Sequence, residues 1–433
     1  MSPFDLSLLP RTACVSSDGG VAVGGVTLAD LAERFGTPLY VYDEEELRAR
    51  CREYRTAFPG GAAYAAKAFL CTAMARLVAE EGLGIDVATG GELHVVLHAG
   101  FPPERITFHG NNKSDDELRA ALDARVGRIA VDSFDELARI EALASGAPAP
   151  ALQVRVTPGV SAHTHEFIET GTEDSKFGFS LDRGDALEAA RRIVEHPGVR
   201  FAGIHCHIGS QVFRVDSFER AVEKMVGLVR AIEDATGATV DEVNIGGGLG
   251  VRYLAGDDAP SIAGYGAAVH ETFAKALADA GVRSRPVLTT EPGRSIAAPA
   301  GLTLYRVGTV KRIPGGRTYV AVDGGMSDNL RPVTYGARYE AFVPTRAGVE
   351  RPLVATVAGK HCEQGDLLVR DAQLPVDIAV GDLLVTPVTG AYAHAMASNY
   401  NRVPRPAVVF VRDGDARLVV RRETYDDLTR LDI

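Results

Sequence analysis

No run of about eighteen apolar residues, the length a membrane-spanning helix needs, occurs anywhere along the 433 residues of the chain. The sequence therefore predicts no membrane span. Its opening, Met1-Ser2-Pro3-Phe4-Asp5, carries no basic segment, and Asp5, Pro10 and Arg11 interrupt the one short apolar patch nearby. No secretory signal is expected. Cysteine is sparse: Cys14, Cys51, Cys71, Cys206 and Cys362 are scattered and odd in number, with no C-x-x-C pair. That argues against structural zinc and predicts a reducing, cytoplasmic setting. Positive charge is in deficit, with 46 Lys and Arg against 57 Asp and Glu, a net charge of −11. Nucleic acid and anionic membrane surfaces need a cationic face, so neither is expected as a general partner. Low-complexity tracts are also missing.

What remains is an ordinary globular balance, 46% hydrophobic and 24% charged, in a chain long enough for about two or three domains. Residues 1–42 read as a β-rich entry with a helix at 28–35, ended by Gly36-Thr37-Pro38, and then a strand at 39–42. Over 43–298 short apolar runs near 62–66, 84–87, 105–108, 128–132, 152–157, 201–205, 240–245 and 286–290 alternate with amphipathic stretches such as 74–81, 115–124, 135–143, 185–195, 217–235 and 267–280. Eight strand–helix alternations predict an α/β barrel, (β/α)8, with a doubly wound sheet as the alternative. Across 299–433 helical periodicity gives way to short alternating runs punctuated by turns such as Pro314-Gly315-Gly316. A C-terminal β domain is expected there, joined by the first forty or so residues.

In such a barrel the C-terminal strand ends share one mouth, and here they are unusually polar. The first run ends in Lys67, the second in Asp86, the third in His109-Gly110-Asn111-Asn112-Lys113 and the fourth in Asp132. The sixth gives His205-Cys206-His207-Ile208-Gly209-Ser210, the seventh Gly246-Gly247-Gly248-Leu249-Gly250, and the eighth Glu291-Pro292-Gly293-Arg294. A lysine at the end of an apolar run should be partly buried, which favours the neutral amine able to form a Schiff base with a carbonyl. The bland reading is a side chain that snorkels to solvent. Three glycines let backbone N–H groups approach a phosphate, although a plain tight turn uses the same residues. Glu291 and Arg294 suit a zwitterionic ligand or pair with each other. His205 and His207 alternate along a strand, so only one should face the ligand. His163-Thr164-His165-Glu166 has no third metal partner nearby, and no metal is expected. Lysine, phosphate cradle, carboxylate and stacking histidine together match the needs of pyridoxal phosphate.

With these motifs the chain resembles the fold-type III pyridoxal-phosphate decarboxylases, most closely the diaminopimelate decarboxylases. The likeness runs over nearly the whole chain, through segments 64–67, 173–178, 205–211, 246–250, 291–294, 323–332, 359–363, 390–392 and 396–401. It implies an alanine-racemase-like barrel followed by an all-β domain of Greek-key or barrel-like form, and decarboxylation of meso-2,6-diaminopimelate to L-lysine. Lys67 would join the cofactor, Glu291 pair with its ring nitrogen and His207 stack on the ring; Asp86 also lies in the cofactor site. Ser210, Gly246, Gly247, Gly248, Gly293 and Arg294 would bind the phosphate, with Tyr392. Arg294, Arg331 and Tyr335 would hold the distal carboxylate of the substrate, with Tyr392 beside it. Cys362 and Glu363 would come from the partner subunit of a head-to-tail homodimer, Glu363 taking the distal ammonium, and Cys362 or Lys67 returning the proton.

Two arginines and a glutamate fit a substrate whose far end is itself an amino acid, since each charge then gains a partner. The resemblance departs at Gln364, where the family usually has serine, and at Thr334, where an aliphatic residue is usual. Gln364 favours the rival reading, a related decarboxylase of another amino acid. A racemase with the same cofactor needs an acid–base pair on opposite faces, which the Cys362-Glu363 segment does not supply. A non-catalytic binding protein has no use for Lys67, His207, Glu291 and Cys362 together, and a cofactor-free lysine aldolase leaves the β domain and Gly246-Gly247-Gly248 unexplained.

Overall fold

The structure, a computed structural model, describes residues 4–17, 19–144, 148–160 and 175–433. The histidine motif at 163–166 and the first two residues of the 173–178 segment lie outside them. The chain divides into two compact units, one of residues 50–250 and 259–295, the other of 1–49, 251–258 and 296–433.

The sheet of the first unit runs through eight parallel strands in sequence order: β1 (Ala63–Ala65), β2 (Gly84–Val87), β3 (Ile106–Phe108), β4 (Arg128–Val131), β5 (Ala151–Thr157), β6 (Arg200–Cys206), β7 (Glu242–Asn244) and β8 (Val287–Thr289), with a short further strand, Phe179–Ser180, paired in parallel to β5 off that path. A parallel bridge from Ala62 to Thr290 joins the last strand to the first, so the sheet closes into a barrel. Strands inside such a barrel are covered on both faces, which is why Ile85, Val87, Ile106, Phe108, Ile129, Val131, Leu152, Val154 and Ile204 are fully or almost fully buried. Between the strands run helices α1 (Thr72–Glu80), α2 (Gly90–His98), α3 (Asp115–Ala124), α4 (Phe134–Leu143), α5 (Asp185–Glu195), α6 (Val215–Thr236) and α7 (Ile262–Asp279).

Their starts are set by short polar side chains that satisfy the free N–H groups of a first turn. Thr89, Ser114, Ser133 and Ser261 each accept from the backbone three residues on, and Glu117 returns the bond to Ser114 as a capping box. Thr89 and Ser133 stand two residues past the ends of β2 and β4, so those two caps fix short loops at the barrel mouth.

The second unit is built on a mixed sheet whose strand order is 367–374, 353–358, 318–322, 301–312, 39–43, 407–412, 415–420, with 383–387 also paired to 301–312. Leu39–Asp43 lies antiparallel to Gly301–Arg312 and parallel to Ala407–Arg412, which ties the start of the chain into the C-terminal sheet. Helix Leu28–Phe35 begins at Thr27, whose side chain accepts from Asp30, and ends at Gly36 in the left-handed region.

Candidate active site

Lys67 sits in a single 3-10 turn, Ala66–Ala68, directly after β1. The Tyr64 hydroxyl braces that turn by donating to the Phe69 carbonyl at 2.8 Å. Sequence led us to expect a partly buried lysine; instead the side chain is exposed, while Tyr64, Ala65, Ala66 and Ala68 around it are buried. The strand packs its small apolar residues inward and the next turn lifts the ammonium out of that packing. Its charge still reaches Asp86, Glu92 and His207.

At the end of β8, Glu291 is buried and accepts three hydrogen bonds. His109 Nε2 donates to Oε1 at 2.9 Å, Asn244 Nδ2 to the same oxygen at 2.8 Å, and His205 Nε2 to Oε2 at 2.9 Å. Burial alone pushes this carboxyl up, but the two imidazoles outweigh it and hold Glu291 well below the usual carboxylate range. Asp86 goes the other way: burial first, then the Glu291 charge, push it well above its ordinary value, against the pull of Lys67. The two acids are therefore driven apart, Glu291 towards the ionised form and Asp86 towards the protonated one. Burial lowers His205 to about 4 and lowers His109 as well. Whichever charge the rings carry, each must bear a hydrogen on Nε2, because an ionised carboxylate only accepts.

The two histidines of β6 do not follow simple alternation. The strand ends at Cys206, so His205 faces Glu291 from within the sheet while half-buried His207 belongs to the following loop and accepts from the Gly247 N–H at 3.2 Å. Burial, then the Lys67 charge, hold His207 well below its ordinary value.

Three glycines follow β7, and each is needed for close backbone approach. A Cβ on Gly246 would stand 2.4 Å from the Cys206 carbonyl oxygen, on Gly247 2.1 Å from that of Glu291, and on Gly248 2.3 Å from that of Gly209. Gly246 and Gly248 also have φ of +66° and +121°. Gly247→Ala should therefore cost about 3 kcal/mol, seen as a lower thermal midpoint together with weaker cofactor binding, since the clash falls on the Glu291 backbone. The Gly248 N–H has no acceptor among the described residues. Across the same loop Arg294, buried, donates to Ser210 Oγ from Nε at 3.2 Å and Nη2 at 2.8 Å. Gly293 precedes it, where a Cβ would meet the Ala65 Cβ at 2.9 Å. A hydroxyl, a guanidinium and an open N–H fit a phosphate.

The remaining predicted residues lie in the second unit. Arg331 is 6% exposed, its Nη1 donates to the Tyr339 hydroxyl, and its guanidinium stands 4.7 Å from the Tyr253 ring centre. Among the described residues it has no carboxylate within ion-pair distance. Tyr335 ends the same short helix, Arg331–Tyr335, half-buried. Tyr392, also half-buried, is held at φ +62°, a strained setting for a tyrosine. Cys362, Glu363 and Gln364 are exposed on a loop that is fixed from below. Asp366 accepts from the Met326 N–H at 2.6 Å and the His361 N–H at 2.9 Å, and Asn401 Oδ1 takes the Cys362 N–H at 3.0 Å.

Sequence reasoning gave no role to His109 or Asn244. Both stood at strand ends, which was the available signal, but nothing along the chain says that they share an oxygen of Glu291.

Comparison with known proteins agrees with this chemistry. Residues 44–298 match the family model described as pyridoxal-dependent decarboxylase, pyridoxal binding domain. Diaminopimelate decarboxylase of Mycobacterium tuberculosis is 49% identical over 98% of this chain and 97% of its own length, and that of Bacillus subtilis is 46% identical over 98% of each. Among solved structures, diaminopimelate decarboxylase from M. jannaschii in co-complex with L-lysine superposes with a TM-score of 0.91 at 34% identity, covering 98% of both chains. By full-length identity and by fold, this chain belongs to the diaminopimelate decarboxylases, within the pyridoxal-dependent decarboxylase family.

Proposed function

We propose that the protein decarboxylates meso-2,6-diaminopimelate to L-lysine and carbon dioxide. Arg331 carries the substrate assignment. A buried guanidinium with aromatic and phenolic neighbours but, among the described residues, no carboxylate is poised for an anionic ligand group, and diaminopimelate brings a second carboxylate where lysine or ornithine has none. The M. jannaschii relative's complex with L-lysine is consistent with lysine as the product.

Pyridoxal 5′-phosphate, when bound, supplies an electron-accepting ring for the pair left by the departing carboxylate. The other steps fall to this chain. Lys67 would hold the cofactor through its side-chain amine, at the place the substrate amine would take. Glu291 would pair with the ring nitrogen and His207 would stack on the ring, while Asp86 is driven towards its protonated form by burial and the Glu291 charge. Ser210, Arg294 and the N–H groups of the Gly246-Gly247-Gly248 loop and Gly293 take the phosphate, joined by Tyr392. Arg294, Arg331, Tyr335 and Tyr392 orient the substrate's far end, and Glu363 accepts its ammonium. The proton returns to the reacting carbon from Cys362 or Lys67. The cofactor domain read from the sequence, 43–298, differs from the compact unit of 50–250 and 259–295 in that 43–49, 251–258 and 296–298 fall with the β unit.

By the family resemblance Cys362 and Glu363 are assigned to the site of a second copy in a homodimer, and the exposure of both side chains on a braced loop is compatible with that. If Cys362→Ala alone is inactive, as Lys67→Ala is expected to be, mixing the two proteins should restore activity toward about a quarter of the wild-type value as hybrid dimers form. Lack of recovery after subunit exchange contradicts a shared site. Free Cys14 and Cys362, both exposed, suit a reducing cytoplasm, and among the described residues no helix is long and apolar enough to cross a membrane. Equimolar lysine and carbon dioxide from meso-diaminopimelate is the yield that tests the reaction. A second reading, a decarboxylase of another amino acid, is favoured by Gln364, whose long exposed side chain follows Glu363 directly.

A further inference from the structure

Glu291 is a buried anion without a cationic partner: among the described residues no lysine or arginine pairs with it, and its contacts are the two histidines and Asn244. A carboxylate offers about four acceptor positions, two on each oxygen. Oε1 spends both, on His109 Nε2 at 2.9 Å and Asn244 Nδ2 at 2.8 Å, and Oε2 spends one, on His205 Nε2 at 2.9 Å. The two imidazoles approach from β6 and from the residue after β3, their ring centres 4.6 Å apart and tilted by 57°. We infer that His109 and His205 are positioning residues that clamp opposite oxygens of Glu291 and leave its last acceptor position, on Oε2, for the ring nitrogen of the cofactor. The inference rests on the assignment of Glu291 to that nitrogen.

The loop behind His109 is built to hold it still. Gly110 has φ +123°, and a Cβ there would stand 2.9 Å from the Ala88 carbonyl oxygen. Lys113, 1% exposed, donates to the carbonyls of Gly110 at 2.9 Å and Ala130 at 2.8 Å and to Glu136 Oε1 at 2.6 Å. Glu136 Oε2 in turn takes the Asp132 N–H at 2.8 Å. The His109 ring is therefore referenced to β4 as well as to β3, and a carboxylate gripped on both oxygens cannot turn about its terminal torsion. Other titratable groups facing this cluster are Asp86 on β2, Arg155 on β5, Cys206 on β6, Lys113, and His207 with Lys67 at the mouth. The ionisable side chains hydrogen-bonded to Glu291 are the two clamping histidines.

The test compares wild type, Glu291→Gln, His109→Leu and His109→Gln as cofactor-loaded proteins. It reads kcat, KM, cofactor affinity by equilibrium dialysis and the pH midpoint of the bound cofactor's visible absorption. Losing one donor to a charged acceptor should lower kcat of His109→Leu by about 10–100-fold with KM within about twofold. Its absorption midpoint should move in the same direction as that of Glu291→Gln, by less. His109→Gln keeps an N–H donor and should recover most of both. A wild-type midpoint and kcat in His109→Leu, while Glu291→Gln shifts both, overturns the clamp and leaves the Glu291 assignment standing. An unshifted midpoint in Glu291→Gln overturns that assignment and the clamp with it. Should His109→Leu fail to fold by far-UV circular dichroism, His109→Gln against the shorter His109→Asn decides: equal midpoints and rates for the pair overturn the inference.

Discussion

Replacing Lys67 with alanine is expected to lower the decarboxylation rate by about 10³-fold or more and to abolish the borohydride-reducible attachment of the cofactor. The structure makes this an informative test because the lysine is exposed at the end of β1 rather than packed away. Its amine has no role in the core, so the variant should fold and keep its thermal midpoint. What it loses is a lysine whose charge is felt by Asp86, Glu92 and His207. A side chain that merely snorkelled to solvent would cost little on removal. Retention of most activity by Lys67→Ala would place the reactive amine elsewhere.

Arg331→Met should reduce kcat/KM for meso-diaminopimelate by about 10²–10³-fold, as expected when one partner of a buried charge-assisted pair is removed. Cofactor affinity should stay within about twofold of wild type, since no phosphate role is assigned to this residue. Methionine preserves much of the stem that lies against Tyr253 and Tyr339. Because the guanidinium is buried without a carboxylate partner, stability should hold or rise, by about 1 kcal/mol. The control is turnover of lysine or ornithine, which lack the second carboxylate and should be no worse with the variant than with wild type. Equal losses on all substrates would mean that Arg331 shapes the protein and does not recognise the far carboxylate.

The barrel was legible because its strands are short, apolar and evenly spaced; the runs near 84–87 and the stretches at 115–124 and 185–195 coincide with β2, α3 and α5. Strand ends also announced the site, since Lys67, Asp86, His207 and Glu291 interrupt apolar runs where a barrel has its mouth. Three things were not readable. Burial of Lys67 depends on where one 3-10 turn points, and no periodicity encodes that. Alternation assigned only one of His205 and His207 to the site because it assumed that the strand continued past Cys206. The partners of Glu291 come from three other loops and strands, 182 residues away in the case of His109, so their convergence is a property of closure and not of spacing. The glycine run was visible, but its reason was only half read: the backbone oxygens of Cys206, Gly209 and Glu291 leave no room for a side chain whether or not a phosphate is present.

The most direct measurement is carbon dioxide release by the cofactor-loaded protein from meso-diaminopimelate, beside ornithine, lysine and arginine, with Lys67→Ala as the blank. Release from diaminopimelate alone, matched by lysine formed, is the predicted result and makes Gln364 a tolerated neighbour of Glu363. Release from another amino acid in preference, or none from any while the cofactor is visibly bound, contradicts the assignment and makes Gln364 the first residue to revert to serine.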